Sequence, residues 1–212
     1  MAIYLDSAIV SEAETAHQMG WIKGITTNPT LLAQSDRPPE ITLLKLAELT
    51  PGPLYYQLMA ADFDGMLAEG RKAFEIIGSK LILKIPATSV GFAAVAHLSS
   101  EITCSVTAIY SPAQAAVARE AGAKIAIAYV NRATRLLGDG IALVRDMADI
   151  LKGSDTQILA ASIKSPQEAA ASLQAGAHHL TLPLAMLQAM TVHEFSQKTV
   201  EEFAKNGTGL KI

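Results

Sequence analysis

Short apolar runs rich in Ile, Leu and Val recur along the chain, separated by longer Ala-rich stretches whose apolar positions repeat every three to four residues. The runs predict strands at 2–6, 22–26, 53–59, 81–85, 102–107, 124–130, 157–161 and 178–182. The intervening stretches predict helices near 11–20, 38–49, 63–77, 88–100, 111–121, 137–151 and 165–175. A further helical stretch follows the eighth strand, and a last one covers about 193–205. Two helix starts are marked by Ser111-Pro112-Ala113-Gln114 and Ser165-Pro166-Gln167-Glu168, each with a Ser cap, Pro at the first position and Gln or Glu at the third. Gly122 and Gly176, each inside an Ala-Gly-Ala triplet, supply the matching C-terminal signals.

Strict strand–helix alternation implies a parallel sheet. Eight units closing on themselves give a (β/α)8 TIM barrel, with an open doubly wound sheet as the alternative. No linker, charge block or low-complexity tract interrupts the chain, so residues 1–212 are expected to form one domain. Residues 193–212 exceed a minimal barrel; they are expected to form an extra C-terminal helix and tail that packs over the barrel or against a neighbouring subunit.

Composition narrows the function classes. Net charge is −3, with no basic patch or basic helix, which argues against nucleic-acid and membrane partners. An anionic substrate must then be held by a few local groups. No stretch approaches the roughly 20 apolar residues of a membrane span, and the first residues carry no basic leader with an apolar core. Cys104 is the only cysteine, so no internal disulfide forms and a reducing, cytoplasmic setting is expected. His17, His97, His178, His179 and His193 follow no metal-ligand spacing, and no metal site is expected.

In a barrel of this type chemistry sits at the C-terminal strand ends. Those ends carry Asp6, Thr26–Asn28, Gln57, Lys84, Thr107, Tyr129–Arg132 and Ser162. Lys84 stands among Ile82, Leu83 and Ile85, where burial disfavours an ammonium and lowers its pKa. A neutral amine can attack a carbonyl and form an iminium, the electron sink for breaking the adjacent C–C bond. The plainer alternative is a lysine leaving the strand end for solvent or a carboxylate. Lys164, directly before the Ser165 cap, reads as a solvent-facing loop lysine, and Lys23 and Lys124 fall at strand starts. Asp6 can exchange a proton with a substrate hydroxyl or serve as a salt bridge or cap. Thr107, Gln57 and Tyr129 can hold a water for proton transfer, or satisfy buried backbone groups. Arg132 and Ser162, with amides at the helix start after strand seven, can grip a phosphate; a lone loop Arg is otherwise a solvated charge.

Taken in order, YLDSA (4–8), GITTNPTLL (24–32), YYQLMA (55–60), LKIPAT (83–88), SVTAIYSPAQA (105–115), AYVNR (128–132), LAASIKSP (159–166) and LTLPL (180–184) resemble the motifs of the transaldolase family, in its short-chain branch containing fructose-6-phosphate aldolase. The resemblance spans residues 4–184. It implies an eight-stranded barrel with Lys84 as the Schiff-base lysine and Asp6 as its acid/base partner. Asn28 and Ser162 would contact the sugar, Arg132 with Ser162 the phosphate, and Gln57, Thr107 and Tyr129 the catalytic water. Transaldolases typically carry Glu and Phe where this chain has Gln57 and Tyr129; the aldolase branch has Gln and Tyr. The branch often shows Thr at the position of Ser7. The implied activity is a class I aldolase, free of metal and cofactor, that interconverts fructose 6-phosphate with dihydroxyacetone and glyceraldehyde 3-phosphate. The alternatives are a transaldolase passing the three-carbon unit between sugar phosphates in the pentose phosphate pathway, and a non-catalytic sugar-phosphate binding barrel. The partners implied are small-molecule sugar phosphates and further copies of the chain, in a decamer built through the C-terminal helix.

Overall fold

The computed structural model describes residues 1–210. Eight parallel strands close into a barrel in sequence order: β1 (Ala2–Asp6), β2 (Ile25–Thr26), β3 (Leu54–Gln57), β4 (Leu81–Pro86), β5 (Cys104–Ile109), β6 (Ile125–Tyr129), β7 (Gln157–Ala161) and β8 (His179–Leu182). β8 returns to β1 with Tyr4 opposite Thr181, which seals the ring and excludes the open sheet. Around it, in chain order, run α1 (Val10–Gln18), α2 (Pro29–Leu32), α3 (Pro39–Leu49), α4 (Phe63–Ile77), α5 (Ser89–Leu98), α6 (Pro112–Glu120), α7 (Val130–Leu137), α8 (Gly140–Leu151), α9 (Pro166–Gln174), α10 (Leu184–Ala189) and α11 (Glu194–Asn206).

Side chains alternate between the two faces of each strand. Leu5, Leu54, Leu83, Val106, Ala128, Ile158 and Leu180 point outward into one continuous core against the helices. A second, smaller cluster of Tyr4, Tyr55, Ile125, Ile127, Leu159 and Ala161 fills the barrel lumen. Both expected Ser caps form: Ser111 Oγ accepts from the Gln114 amide at 3.3 Å, and Ser165 Oγ from the Glu168 amide at 3.0 Å. Gly122 and Gly176 end α6 and α9 at φ 91° and 110°, a backbone region that side chains disfavour.

Several local boundaries differ from expectation, among them β3 and β5, which run Leu54–Gln57 and Cys104–Ile109 rather than 53–59 and 102–107. β2 is far shorter than 22–26, beginning after Gly24, where a Cβ would stand 2.5 Å from the Pro53 carbonyl oxygen. The strand expected to run through Val130 stops at Tyr129, and Val130–Leu137 is a helix of its own. It ends at Gly138 (φ 95°), after which Asp139 accepts from the amides of Ile141 and Ala142 and starts α8 afresh. The helix expected from 137 to 151 therefore begins at Gly140, and α7 ahead of it is a helix not expected from the sequence. Finally, α2 is a single turn capped by Asn28. The C-terminal helix is present as expected; residues 211–212 of the expected tail lie outside the described residues. Among the described residues no helix is long and apolar enough to cross a membrane.

Candidate active site

Lys84 is the fourth residue of β4 and only 3% exposed. Its outward neighbours Leu83 and Ile85 are fixed in the helix-facing core, so the alternation turns the amine inward. Nζ donates to the Thr27 carbonyl oxygen at 2.8 Å. Burial lowers the Lys84 pKa, and the nearby charge of Asp6 pulls the other way without cancelling it. The amine's partner is a neutral carbonyl rather than a carboxylate, so the neutral form stays accessible. Such an amine can act as a nucleophile toward a carbonyl.

Asp6 ends β1. Its Oδ1 accepts from the Thr26 hydroxyl at 2.7 Å, and Thr26 Oγ1 lies 2.6 Å from the Thr181 hydroxyl. Tyr129 ends β6, and its phenol oxygen accepts from the Thr107 hydroxyl at 3.1 Å. Burial, the main cause, raises the Tyr129 pKa, as does the Asp6 charge, against lowering by Thr107 and Arg132. The phenol therefore keeps its proton, and because its oxygen is already accepting, that proton is free to be donated. Gln57, register partner of Lys84 on β3, presents a buried Oε1 that accepts no hydrogen bond from the described residues. A buried acceptor of this kind matches a water or a substrate hydroxyl.

Asp6, Gln57, Lys84 and Tyr129 meet around a cavity of about 480 Å³ at the C-terminal mouth of the barrel, which Asn28, Arg132 and Ser162 also line. Asn28 Oδ1 is taken by the Leu31 amide at 3.0 Å, so its cavity contact falls to the amide nitrogen. The Arg132 guanidinium stacks 5.1 Å from the Tyr129 ring centroid and is exposed. No carboxylate of the described residues pairs with Arg132 or Lys164. The Asn131 amide donates to the Ser162 carbonyl at 3.1 Å, tying the start of α7 to the end of β7. Among the described residues two non-glycines adopt positive φ, Ser162 (60°) and Ala108 (58°). Ala108 sits where β5 loses register with β6, directly after Thr107. Strain of about 1–3 kcal/mol per such residue persists only where surroundings enforce it, and of the two Ser162 lines this cavity.

Seven of the eight residues singled out in the sequence line the cavity. Thr107 does not; it is 1% exposed and stands behind Tyr129. Some of the amides expected to help with a phosphate are already engaged. Lys164 N donates to Glu168 Oε2 at 2.7 Å, Glu168 N to Ser165 Oγ, and Pro166 has no N–H. Lys164, expected to face solvent, is exposed and also forms part of the cavity rim.

The family model described as Transaldolase/Fructose-6-phosphate aldolase matches residues 3–210. The chain belongs to this family. A probable transaldolase of Symbiobacterium thermophilum is 34% identical over 214 residues, covering 100% of this chain and 99% of its own. Among solved structures, a mandelate oxidase variant superposes with a TM-score of 0.64 at 16% identity, over 94% of this chain and 71% of the other. Inosine 5′-monophosphate dehydrogenase from Legionella pneumophila superposes at 0.59 and 13% identity, over 88% of this chain and 58% of that one. These two likenesses concern the barrel fold alone. As a member of the transaldolase/fructose-6-phosphate aldolase family, the chain is an enzyme of the aldolase or transferase type acting on sugar phosphates.

Thr26 and Thr27 stand among the strand-end residues read from sequence; the structure adds their contacts, the Thr27 carbonyl with Lys84 and the Thr26 hydroxyl with Asp6, and adds Thr181. Thr181 is β8's inward polar residue, two positions after His179. A lone hydroxyl inside the apolar run LTLPL is the one sequence signal that marks it.

Proposed function

We propose that the protein is a fructose-6-phosphate aldolase working through a Schiff base on Lys84. The neutral amine attacks the C2 carbonyl, and loss of water leaves an iminium. Asp6 takes the C4 hydroxyl proton as the C3–C4 bond breaks, and the bonding pair moves into the iminium to give an enamine. Glyceraldehyde 3-phosphate departs with its phosphate on Arg132 and Ser162, while Asn28 holds a sugar hydroxyl. A water held between Gln57 and Tyr129, with Thr107 behind, relays the proton held by Asp6 to C3 and so restores the carboxylate; a second water hydrolyses the iminium, releasing dihydroxyacetone and the free Lys84 amine.

The observation that carries the aldolase reading is the Tyr129 phenol. It accepts from Thr107, keeps its own proton, and faces the same cavity as the unpartnered Gln57 oxygen. That pair can hold the water which protonates the enamine. A transaldolase must keep the enamine unprotonated until an aldose phosphate arrives. The name shared by the curated relatives, probable transaldolase, favours that second reading. Rates of fructose 6-phosphate consumption with and without erythrose 4-phosphate decide: an aldolase releases dihydroxyacetone without the acceptor, and strict dependence on it makes the enzyme a transaldolase.

One barrel domain with a C-terminal extension supports this chemistry. Val192, Phe195, Val200 and Phe203 on and beside α11 are mostly exposed, up to 70% at Phe203, and would be covered in an oligomer such as the family's decamer. Sugar-phosphate substrates and a single buried thiol suit a cytoplasmic enzyme.

A further inference from the structure

The inner face of β8 contributes one hydroxyl, Thr181, 2% exposed, whose side chain hydrogen-bonds with Thr26 Oγ1 at 2.6 Å. Thr26 is fully buried and its oxygen also lies 2.7 Å from Asp6 Oδ1. A hydroxyl has one proton to give. An ionised carboxylate only accepts, so Thr26 gives its proton to Asp6. Its contact with Thr181 must then run the other way, with Thr181 donating. The direction of both bonds is thereby fixed, and the chain is Thr181 to Thr26 to Asp6.

Position in the barrel gives the chain its effect. Asp6 is the last residue of β1, opposite Thr26 on β2, while Tyr4 of the same strand pairs with Thr181 on β8. Thr181 therefore stands one layer beneath Asp6 and reaches it through Thr26, from the opposite neighbouring strand. A β-branched threonine has few χ1 choices, and a hydrogen bond at each side of its oxygen fixes which one Thr26 takes. With Oδ1 occupied from below, Oδ2 of Asp6 is left for the substrate. We propose that Thr181 is a positioning residue for catalysis, orienting the Asp6 carboxylate through the Thr26 hydroxyl. The inference rests on the reading of Asp6 as the proton acceptor in C–C cleavage, where the substrate's C4 hydroxyl proton passes to Oδ2.

The test compares Thr181→Val, isosteric but without the hydroxyl, Thr181→Ser, which keeps it, Asp6→Asn, and the Thr181→Val/Asp6→Asn double variant. With fructose 6-phosphate, Thr181→Val is expected to lower kcat on the order of 10- to 100-fold with KM changed by no more than about twofold, as for a misoriented group rather than lost binding. Borohydride trapping of dihydroxyacetone on Lys84 should proceed as in the wild type, because iminium formation does not use the Asp6 proton. Thr181→Ser should restore most of kcat. In the double variant, adding Thr181→Val to Asp6→Asn should cost little further, since both act through one carboxylate.

The proposal is overturned if Thr181→Val turns over like the wild type while Asp6→Asn does not, if Thr181→Ser is as slow as Thr181→Val, or if the two effects multiply. Should Thr181→Val not fold, Thr181→Ala serves as the hydroxyl-free variant under the same criteria. Full activity in Asp6→Asn would remove the reading of Asp6 itself, and this inference with it; failure of the inference alone leaves the Asp6→Asn loss in place.

Discussion

The two ends of the barrel lumen are built from the same strands and differ by two residues on each. At the lower end Tyr4, Tyr55, Ile127, Leu159 and His179 close the interior, with the Tyr4 ring 5.5 Å from Tyr55 and 5.7 Å from His179. Two residues on, the same faces present Asp6, Gln57, Tyr129 and Ala161, and β4 steps from Ile82 to Lys84, while Thr181 stands level with Tyr4, beneath Asp6. The lower layer packs its apolar rings and fixes its one histidine. His179 Nδ1 accepts from the Ala2 amide at 3.1 Å, so Nε2 carries the proton given to Gln157 Oε1 at 2.6 Å. The upper layer leaves polar groups facing a cavity. Rigidity below and chemistry above come from one alternation. The plug removes water from beneath the lysine, and that desolvation is what lowers its pKa.

The largest expected effect comes from making the upper end resemble the lower. Lys84→Met should reduce turnover by more than about 10³-fold, as expected for a lost covalent nucleophile. The same change should raise Tm, because an amine held out of water is replaced by an apolar side chain of similar length. Activity assays and thermal melts on one preparation check both; lost activity with a lower Tm would make Lys84 structural.

Next is Arg132→Ala. Losing a charged hydrogen bond commonly costs about 1.5–3 kcal/mol, or roughly 10- to 150-fold. The loss should appear in kcat/KM for fructose 6-phosphate and be small for unphosphorylated dihydroxyacetone. Equal losses would move the phosphate site elsewhere. Tyr129→Phe should be milder, slowing dihydroxyacetone release by about tenfold while sparing or raising transfer to erythrose 4-phosphate. Should both activities fall together with Tm, the hydroxyl serves only Thr107.

The smallest effect belongs to the lower end and concerns stability. His179 is depressed to about 4, chiefly by burial and then by the N-terminal and His178 charges. The unfolded chain takes up that proton near pH 6.5, so between about 4 and 6.5 the unfolded state binds more protons. The stability His179 supplies is complete above that window and is lost as pH falls through it. Discounted for partial solvent contact, the loss is on the order of 1–2 kcal/mol. Denaturant melts of His179→Gln across pH 4–7 should show a flatter profile than wild type, with turnover at neutral pH retained. An equal slope in both would assign the acid sensitivity to other groups.

The fold was legible because it is repetitive. Apolar strands, capped helix starts and Gly stops each follow from local residue chemistry, and Ser111, Ser165, Gly122 and Gly176 all behave as read. Boundaries failed where a nonlocal contact decides them, as at Gly24 against Pro53, and where a helix follows a strand with no connecting turn to mark it, as at Tyr129–Val130. Strand-end residues were legible one by one. Links between them were not, because Thr26 and Thr181 are 155 positions apart and meet only when β8 closes on β1. The fate of the Lys164 amide was hidden for a different reason: the Glu168 carboxylate, one helical turn away, caps it, and nothing in the sequence says whether that carboxylate or a substrate anion wins.

The most direct measurement of the central claim is chemical trapping. Borohydride reduction of the enzyme in the presence of dihydroxyacetone or fructose 6-phosphate, followed by proteolysis and mass mapping, reports where the iminium forms. The buried, pKa-lowered amine on β4 should carry the three-carbon adduct, on Lys84 alone. An adduct on Lys164 at the cavity rim, or no adduct from an enzyme that turns over, would contradict it.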